Sequence, residues 1–329
     1  MVVDTFRRKL ILSSLGLPFI GLWSCNQAQP IIRVGGIKWI GYEPLFLARE
    51  LNYYPSSHLH LVEFPSNTAN LMALASGEID LATLTLDECL IALADGMDVR
   101  VILVFDDSAG ADVVLAHPAI KSLSDLRGKR IGVEETAAGA LMMSKLLEIA
   151  GLKPADITKI HVTGDQHIEA YKTNEFDALI SYEPYSTQLE NMGARRLLDS
   201  SRFPGLIVDV LVARADALKK NPESIKLLVS GYFQALDFLQ KSPADAAKLI
   251  APRLGIIPAE VTQAFKGVHM LDLNSNRAWL NGKKPHFSVA AKIVANIMVQ
   301  SKLLLTLPNI EQLQDASFLP ETTYYKLNK

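Results

Sequence analysis

Two stretches of this sequence return at one fixed spacing, so the chain must build two similar units. Arg33-Val34-Gly35 recurs 97 residues later as Arg130-Ile131-Gly132. Gly77-Glu78-Ile79-Asp80-Leu81 recurs at the same displacement as Asn174-Glu175-Phe176-Asp177-Ala178. In each copy a short β-branched strand opens the unit, and an acidic helix-to-strand turn leads into another apolar strand. Such a turn is cheap on its own; the shared displacement is what makes two matches read as a duplication. Paired α/β lobes leave a cleft between them, the usual place for a small-molecule site.

The periodicity fills in the plan. Strands are expected at 31–37, 58–64, 79–84 and the fully apolar 99–105. A second set follows at 113–116, 130–133, 159–162 and 178–181, and a long apolar strand at 206–214 could return the chain to the first unit. Helices fall between them: Pro44 stands at a first helical position, Ser66 or Asn67 caps a helix that stops at Gly77, and Thr85-Leu86-Asp87-Glu88 is a capping box. The rest, from 222 onward, reads as mostly helical. Alternating strands and helices predict an α/β fold of two doubly wound lobes. No low-complexity linker separates them, so a two-strand hinge is expected near Ser108-Ala109-Gly110 and Pro204-Gly205. The expected division is a first lobe of 31–111 plus 209–306, a second lobe of 112–208, and a C-terminal tail of 307–329.

The N-terminus is of another kind. Arg7-Arg8-Lys9 precedes an apolar stretch at 10–22, too short for a confident membrane span, and reads as a signal peptide. It ends in Leu22-Trp23-Ser24-Cys25, which resembles a bacterial lipobox, with Trp23 bulkier than that position usually carries. The expectation is a leader of 1–25 ending at an acylated Cys25, a tether of 26–30, and a monomer held by lipid in the periplasm or on the outer face of the cell membrane. Arg7-Arg8 leaves both general and twin-arginine export open. The other cysteine, Cys89, sits in an apolar helical stretch and reads as core. With Lys+Arg 33 against Asp+Glu 35 and no basic stripe, nucleic acid is a poor partner.

In open parallel sheets ligands lie beyond the carboxyl ends of strands, against helix N-termini. After the first strand that rule selects Trp39, Tyr42 and Glu43, after the third Thr85, and after the fourth Ser108 and Asp112. In the second unit it selects Glu134, Thr136, Tyr182 and Glu183, with Asp209 on the return strand. Trp39 maps onto Thr136 and Thr85 onto Tyr182 at the same displacement of 97. Each has a plainer reading: Thr85 as a helix cap, Glu43 and Glu183 as carboxylates complementing a helix start, Trp39 and Tyr42 as packing aromatics.

The segment 39–50, Trp-Ile-Gly-Tyr-Glu-Pro-Leu-Phe-Leu-Ala-Arg-Glu, resembles the opening of the solute-binding proteins of the sulfonate, taurine, nitrate and thiamine-precursor importers, the SsuA/TauA family. So do Ala-Ser-Gly-Glu-Ile-Asp-Leu-Ala at 75–82, Asp-Leu-Arg-Gly-Lys-Arg-Ile-Gly-Val-Glu at 125–134 and Gly-Leu-Ile-Val-Asp-Val-Leu-Val at 205–212. The resemblance covers about 31–214. It implies a periplasmic binding protein type II fold that closes on a small molecule and docks on an ABC permease with its ATPase.

The selected positions carry carboxylates and aromatics but no Arg or Lys, which favours a nitrogen-bearing ligand over a bare anion. No phosphate loop, nucleophile elbow or zinc helix is present, and no cofactor or metal is called for. His58 and His60 share a strand face without a third ligand nearby, which suits a strand edge. Two alternatives stay open: a two-lobed biosynthetic enzyme related to thiamine-pyrimidine synthesis, and a sensor reporting to a membrane kinase.

Overall fold

Residues 31–281 and 285–322 are described by a computed structural model of the chain. The leader, the tether and the Cys25 lipidation call lie outside them, as do positions 323–329 of the tail. Eleven strands are found among the described residues: β1 Ile32–Gly36, β2 Leu59–Glu63, β3 Leu81–Thr85, β4 Val99–Ser108, β5 Asp112–Ala116, β6 Arg130–Val133, β7 Thr158–His161, β8 Ala178–Tyr182, β9 Arg195–Asp199, β10 Val208–Arg214 and β11 Val268–Met270. They form two sheets, in the orders β11-β4-β10-β3-β1-β2 and β7-β6-β8-β5-β9. The fold is the expected α/β arrangement of two doubly wound lobes.

The duplication reappears in the pairing. In the first sheet β1 runs parallel to β2 and β3, and β10 lies antiparallel against β3. In the second, β6 runs parallel to β7 and β8, and β5 lies antiparallel against β8. Val34 faces Leu81 and Ile131 faces Ala178, so both partners move by the same 97 positions. The acidic turn fixes that register. Asp80 Oδ2 accepts from the Arg33 backbone N–H at 2.8 Å, as Asp177 Oδ2 accepts from that of Arg130 at 2.8 Å. Each arginine also donates to a backbone carbonyl at its turn, Gly77 at 2.9 Å and Asn174 at 3.0 Å.

β4 is buried along Val101 to Phe105, as its unbroken apolar run requires of a strand covered on both faces. His60 lies on β2, an edge strand of the first sheet. Cys89 is wholly buried in the helix Leu86–Ala94. Two strands went unforeseen. β9 is short and rich in charge, and β11 is three residues long; both take their conformation from the strand beside them, β5 and β4.

The chain passes between sheets twice, at 109–111 and 200–207, and the two crossings are bonded to each other. Ser200 Oγ lies 2.8 Å from Ser108 Oγ and accepts from the Gly110 backbone N–H at 2.8 Å. The Ser108 N–H donates to the Ile207 carbonyl at 2.9 Å, and Asp107 Oδ1 accepts from the Gly205 N–H at 3.0 Å. Ser108 and Ser200 are both fully buried, so these polar groups depend on one another for satisfaction.

Candidate functional site

The strand-end positions converge on one cavity between the sheets. Its lining includes Trp39, Tyr42, Thr85, Asp112, Glu134, Thr136, Tyr182 and Asp209, together with Ile37, Asn67, Gly139, Met142, Ile180 and Ile207. Its volume is about 50 Å³, room for a few water molecules or one compact group. Trp39 and Tyr182, reaching in from opposite lobes, meet edge to face with ring centroids 6.1 Å apart.

The duplication is built into the lining. Asp209 on β10 sits opposite Thr85 on β3, and Asp112 on β5 sits opposite Tyr182 on β8. Thr85 and Tyr182 are 97 positions apart, so the two aspartates hold matching places on matching antiparallel strands. One comes from each sheet, and both line the same space.

The local chemistry follows from how each side chain is held. Tyr42 O–H donates to Asp209 Oδ1, and Trp39 Nε1–H donates to Asp106 Oδ2 at 3.3 Å. Gly41 lets that tryptophan approach: a Cβ there would stand 2.0 Å from Asp106 Oδ2 and 2.5 Å from Trp39 Nε1. Tyr182 O–H donates to Glu134 Oε2 at 3.3 Å. Three helices begin at the cavity, and each has a first-turn or cap N–H taken by its own side chain. Ser66 Oγ accepts from Ala69 at 3.1 Å, Glu88 Oε2 from Thr85 at 3.0 Å and Thr136 Oγ1 from Gly139 at 3.0 Å.

Acceptors, by contrast, are left over. Asp112 Oδ2, Glu134 Oε1 and Asn67 Oδ1 are buried without a hydrogen-bond partner, whereas the Asp209 carboxyl bonds that of Asp106 and the Thr85 hydroxyl serves the capping box. Burial pushes the Asp112 carboxyl up to about 7, against the hydrogen bond from Ser108. Glu134 is likewise pushed up to about 7 by burial, with the Tyr182 hydroxyl opposing. Asp106 and Asp209 both lie well above the carboxylate range, first because burial penalises their charge and then because carboxylates crowd one another. Among the described residues, no Arg or Lys contributes to the lining.

Three of the selected residues fall outside the cavity. Glu43 is buried in an ion pair with Arg253, whose guanidinium also donates to the Ile37 carbonyl at 3.1 Å and lies 3.4 Å from the Phe46 ring centroid. Ser108 belongs to the crossing bonds. Glu183 accepts from Thr187, at 2.9 Å from the hydroxyl and 3.2 Å from the backbone N–H, at the start of the helix Tyr185–Asn191. Asn67 is the polar lining residue the sequence reading passed over. It stands just past the carboxyl end of β2, and the strand-end rule, applied to that strand, selects it.

Comparison with known proteins places this geometry. The model of the family described as "NMT1/THI5 like" matches residues 39–246. A protein of Brucella abortus (strain 2308), named only as a candidate binding protein, is 26% identical over 304 residues, covering 87% of this chain and 94% of its own. The taurine-binding periplasmic protein of Escherichia coli (strain K12) is 25% identical, covering 67% of this chain and 71% of its own. A pyrimidine phosphate synthase of Saccharomyces cerevisiae (strain ATCC 204508 / S288c) is 24% identical, over 62% and 65%. Among solved structures, the alkanesulfonate-binding protein SsuA of Xanthomonas axonopodis pv. citri, bound to MOPS, superposes with a TM-score of 0.71 at 22% identity, covering 87% of this chain and 97% of that one. That likeness bears on the fold.

Proposed function

The chain belongs to the NMT1/THI5-like family, and on that premise we propose that it is a solute-binding protein of an ABC importer that captures a small, nitrogen-bearing molecule between its lobes. The observation that carries the reading is the cavity itself. It is lined from both sheets, rich in aromatic rings and unpartnered acceptors, and short of donors. A ligand with N–H groups would satisfy oxygens that otherwise stay desolvated at a cost of about 1–3 kcal/mol each. Because the lining comes from both lobes, a bound molecule would favour the closed arrangement over an open one.

The relatives named as binding proteins support capture, and the taurine-binding protein supports a place in the periplasm. Acylation of Cys25 would keep the mature chain beside its permease. The similarity to the yeast synthase keeps an enzyme in view. The sequence has only Cys25 and Cys89, however, and Cys89 is buried with its thiol pushed up by desolvation, so no cysteine-rich iron site can be assembled. We read the chain as a binder that makes and breaks no bond.

Calorimetry of the full mature chain against taurine, ethanesulfonate, nitrate and aminopyrimidines tests the reading. Aminopyrimidines or other N–H-bearing solutes are expected to bind, and nitrate is not. Tight binding of nitrate or a simple sulfonate would end the nitrogen-ligand reading, and steady turnover of any bound compound would end the non-enzymatic one.

A further inference from the structure

We infer that the cleft selects for positive charge as well as for N–H groups: its occupant is a compact planar cation of the amidinium or guanidinium class, clasped between Asp112 and Glu134 of one sheet and Asp209 of the other. The inference rests on the capture reading and narrows it.

Three observations point the same way. Asp112, Glu134 and Asp209 are 8%, 7% and 2% exposed and line one shared cavity, and Asp112 and Glu134 each keep a buried oxygen without a hydrogen-bond partner. The hydroxyls of Tyr42 and Tyr182 are already spent on Asp209 Oδ1 and Glu134 Oε2, which leaves Glu134 Oε1 without a partner, while the Asp209 carboxyl also bonds that of Asp106. Third, Asn67 Oδ1 adds a neutral acceptor beside the carboxyls, and Trp39, Tyr42 and Tyr182 supply ring surface. A forked N–H cation meets carboxylates in pairs of parallel hydrogen bonds and stacks on aromatic faces. A neutral amide offers fewer donors and leaves the carboxylates' charge unanswered.

The opposing case is the helix starts. Each contributes about half a positive charge, which favours an anion. At each start one N–H is already taken, as Ala69, Thr85 and Gly139 donate to Ser66, Glu88 and Thr136. Behind the lining, Glu88 and Asp106 add further buried carboxyls. Burial raises the pKa of all five carboxyls, so they take up full charge only against a cation that offsets their desolvation. The cavity volume of about 50 Å³ leaves room for one compact planar group.

The test compares charge isosteres on the full mature chain at matched ionic strength, so that screening does not differ between probes. Acetamidinium and methylguanidinium are set against acetamide and methylurea, with ethanesulfonate as the anion, by calorimetry and by the shift of the thermal transition. Each cation is expected to bind at least tenfold tighter than its neutral isostere. Glu134→Gln and Asp209→Asn should each lower cation affinity tenfold or more and narrow the cation's lead over acetamide; two variants guard against one that misfolds. Equal binding of cation and isostere, unchanged cation affinity in both variants, or tighter binding of ethanesulfonate overturns the cation. Capture survives those outcomes if acetamide, ethanesulfonate or a co-purified neutral solute is held. Silence from every probe, with no small molecule found by mass spectrometry of the purified chain, ends both.

Discussion

The two sheets share one scaffold and differ at its rim. Asp80 and Asp177 accept the same backbone N–H bond from Arg33 and Arg130 at the same spacing, and glycine stands at the same place in both central strands, Gly35 and Gly132. Beyond the strand ends the copies part. Ile37 corresponds to Glu134, Trp39 to Thr136 and Thr85 to Tyr182. The first lobe brings an aliphatic and an indole where the second brings a carboxylate and a hydroxyl. Pairing chemistry tolerates little change because it sets the register of every side chain along the strand. The rim is free to vary, since side chains there answer to a ligand and to the opposite lobe.

Removing the Glu134 carboxyl, which stands where the first lobe has Ile37, should have the largest effect. The Glu134 pKa is raised in the folded state to about 7 from 4.5 by burial. The folded chain therefore binds more protons than the unfolded one between those values. That contribution to stability is full below about pH 4 and is lost as pH rises through about 7. In the ligand-free chain, Glu134→Gln should match wild type near pH 4 and exceed it by about 3 kcal/mol at pH 8, read by chemical denaturation at both values. An advantage that does not grow with pH would show the carboxyl to be solvated.

Next come the paired glycines. A Cβ on Gly35 would fall 2.0 Å from Asn70 Oδ1, a side chain pinned by its bond to the Thr83 carbonyl at 2.7 Å; on Gly132 it would meet Leu179 Cδ1 at 2.8 Å. Gly35→Ala should cost about 2–3 kcal/mol and Gly132→Ala about 1 kcal/mol, compared by urea midpoints. Equal losses would mean the copies pack alike after all. Trp39→Ala and its counterpart Thr136→Ala separate binding from folding. The first should weaken ligand binding tenfold or more, about 1–3 kcal/mol. The second should cost about 1 kcal/mol of stability through the lost bond to the Gly139 N–H. The smallest effect belongs to the shared turn. Arg33 and Arg130 have side chains 42% and 44% exposed, so replacing either by Ala should cost about 0.2–1 kcal/mol and by similar amounts. A difference above about 2 kcal/mol would break the equivalence of the two turns.

Legibility followed the same division. The scaffold was readable because its signals are local: a β-branched run, a capping residue, an acidic turn a few residues from the strand it fixes. The rule of strand ends then found most of the lining, and Asn67 was lost only where the rule went unapplied. Glu43 shows what local reading cannot reach, since its partner Arg253 lies 210 positions away and nothing near either residue announces the other. Glu183 shows a milder failure, as its carboxyl is taken up by Thr187 four residues on. β9 and β11 escaped for the first reason, being strands only because β5 and β4 are there to bond them.

The hydroxyl of Ser200 ties one passage of backbone between the sheets to the other, so neither can swivel alone. A body suspended on two independent cords may sway and twist; one whose cords are knotted together turns mainly like a door. Any turning of the halves about these tied crossings would therefore bring matching rim positions back to the same alignment.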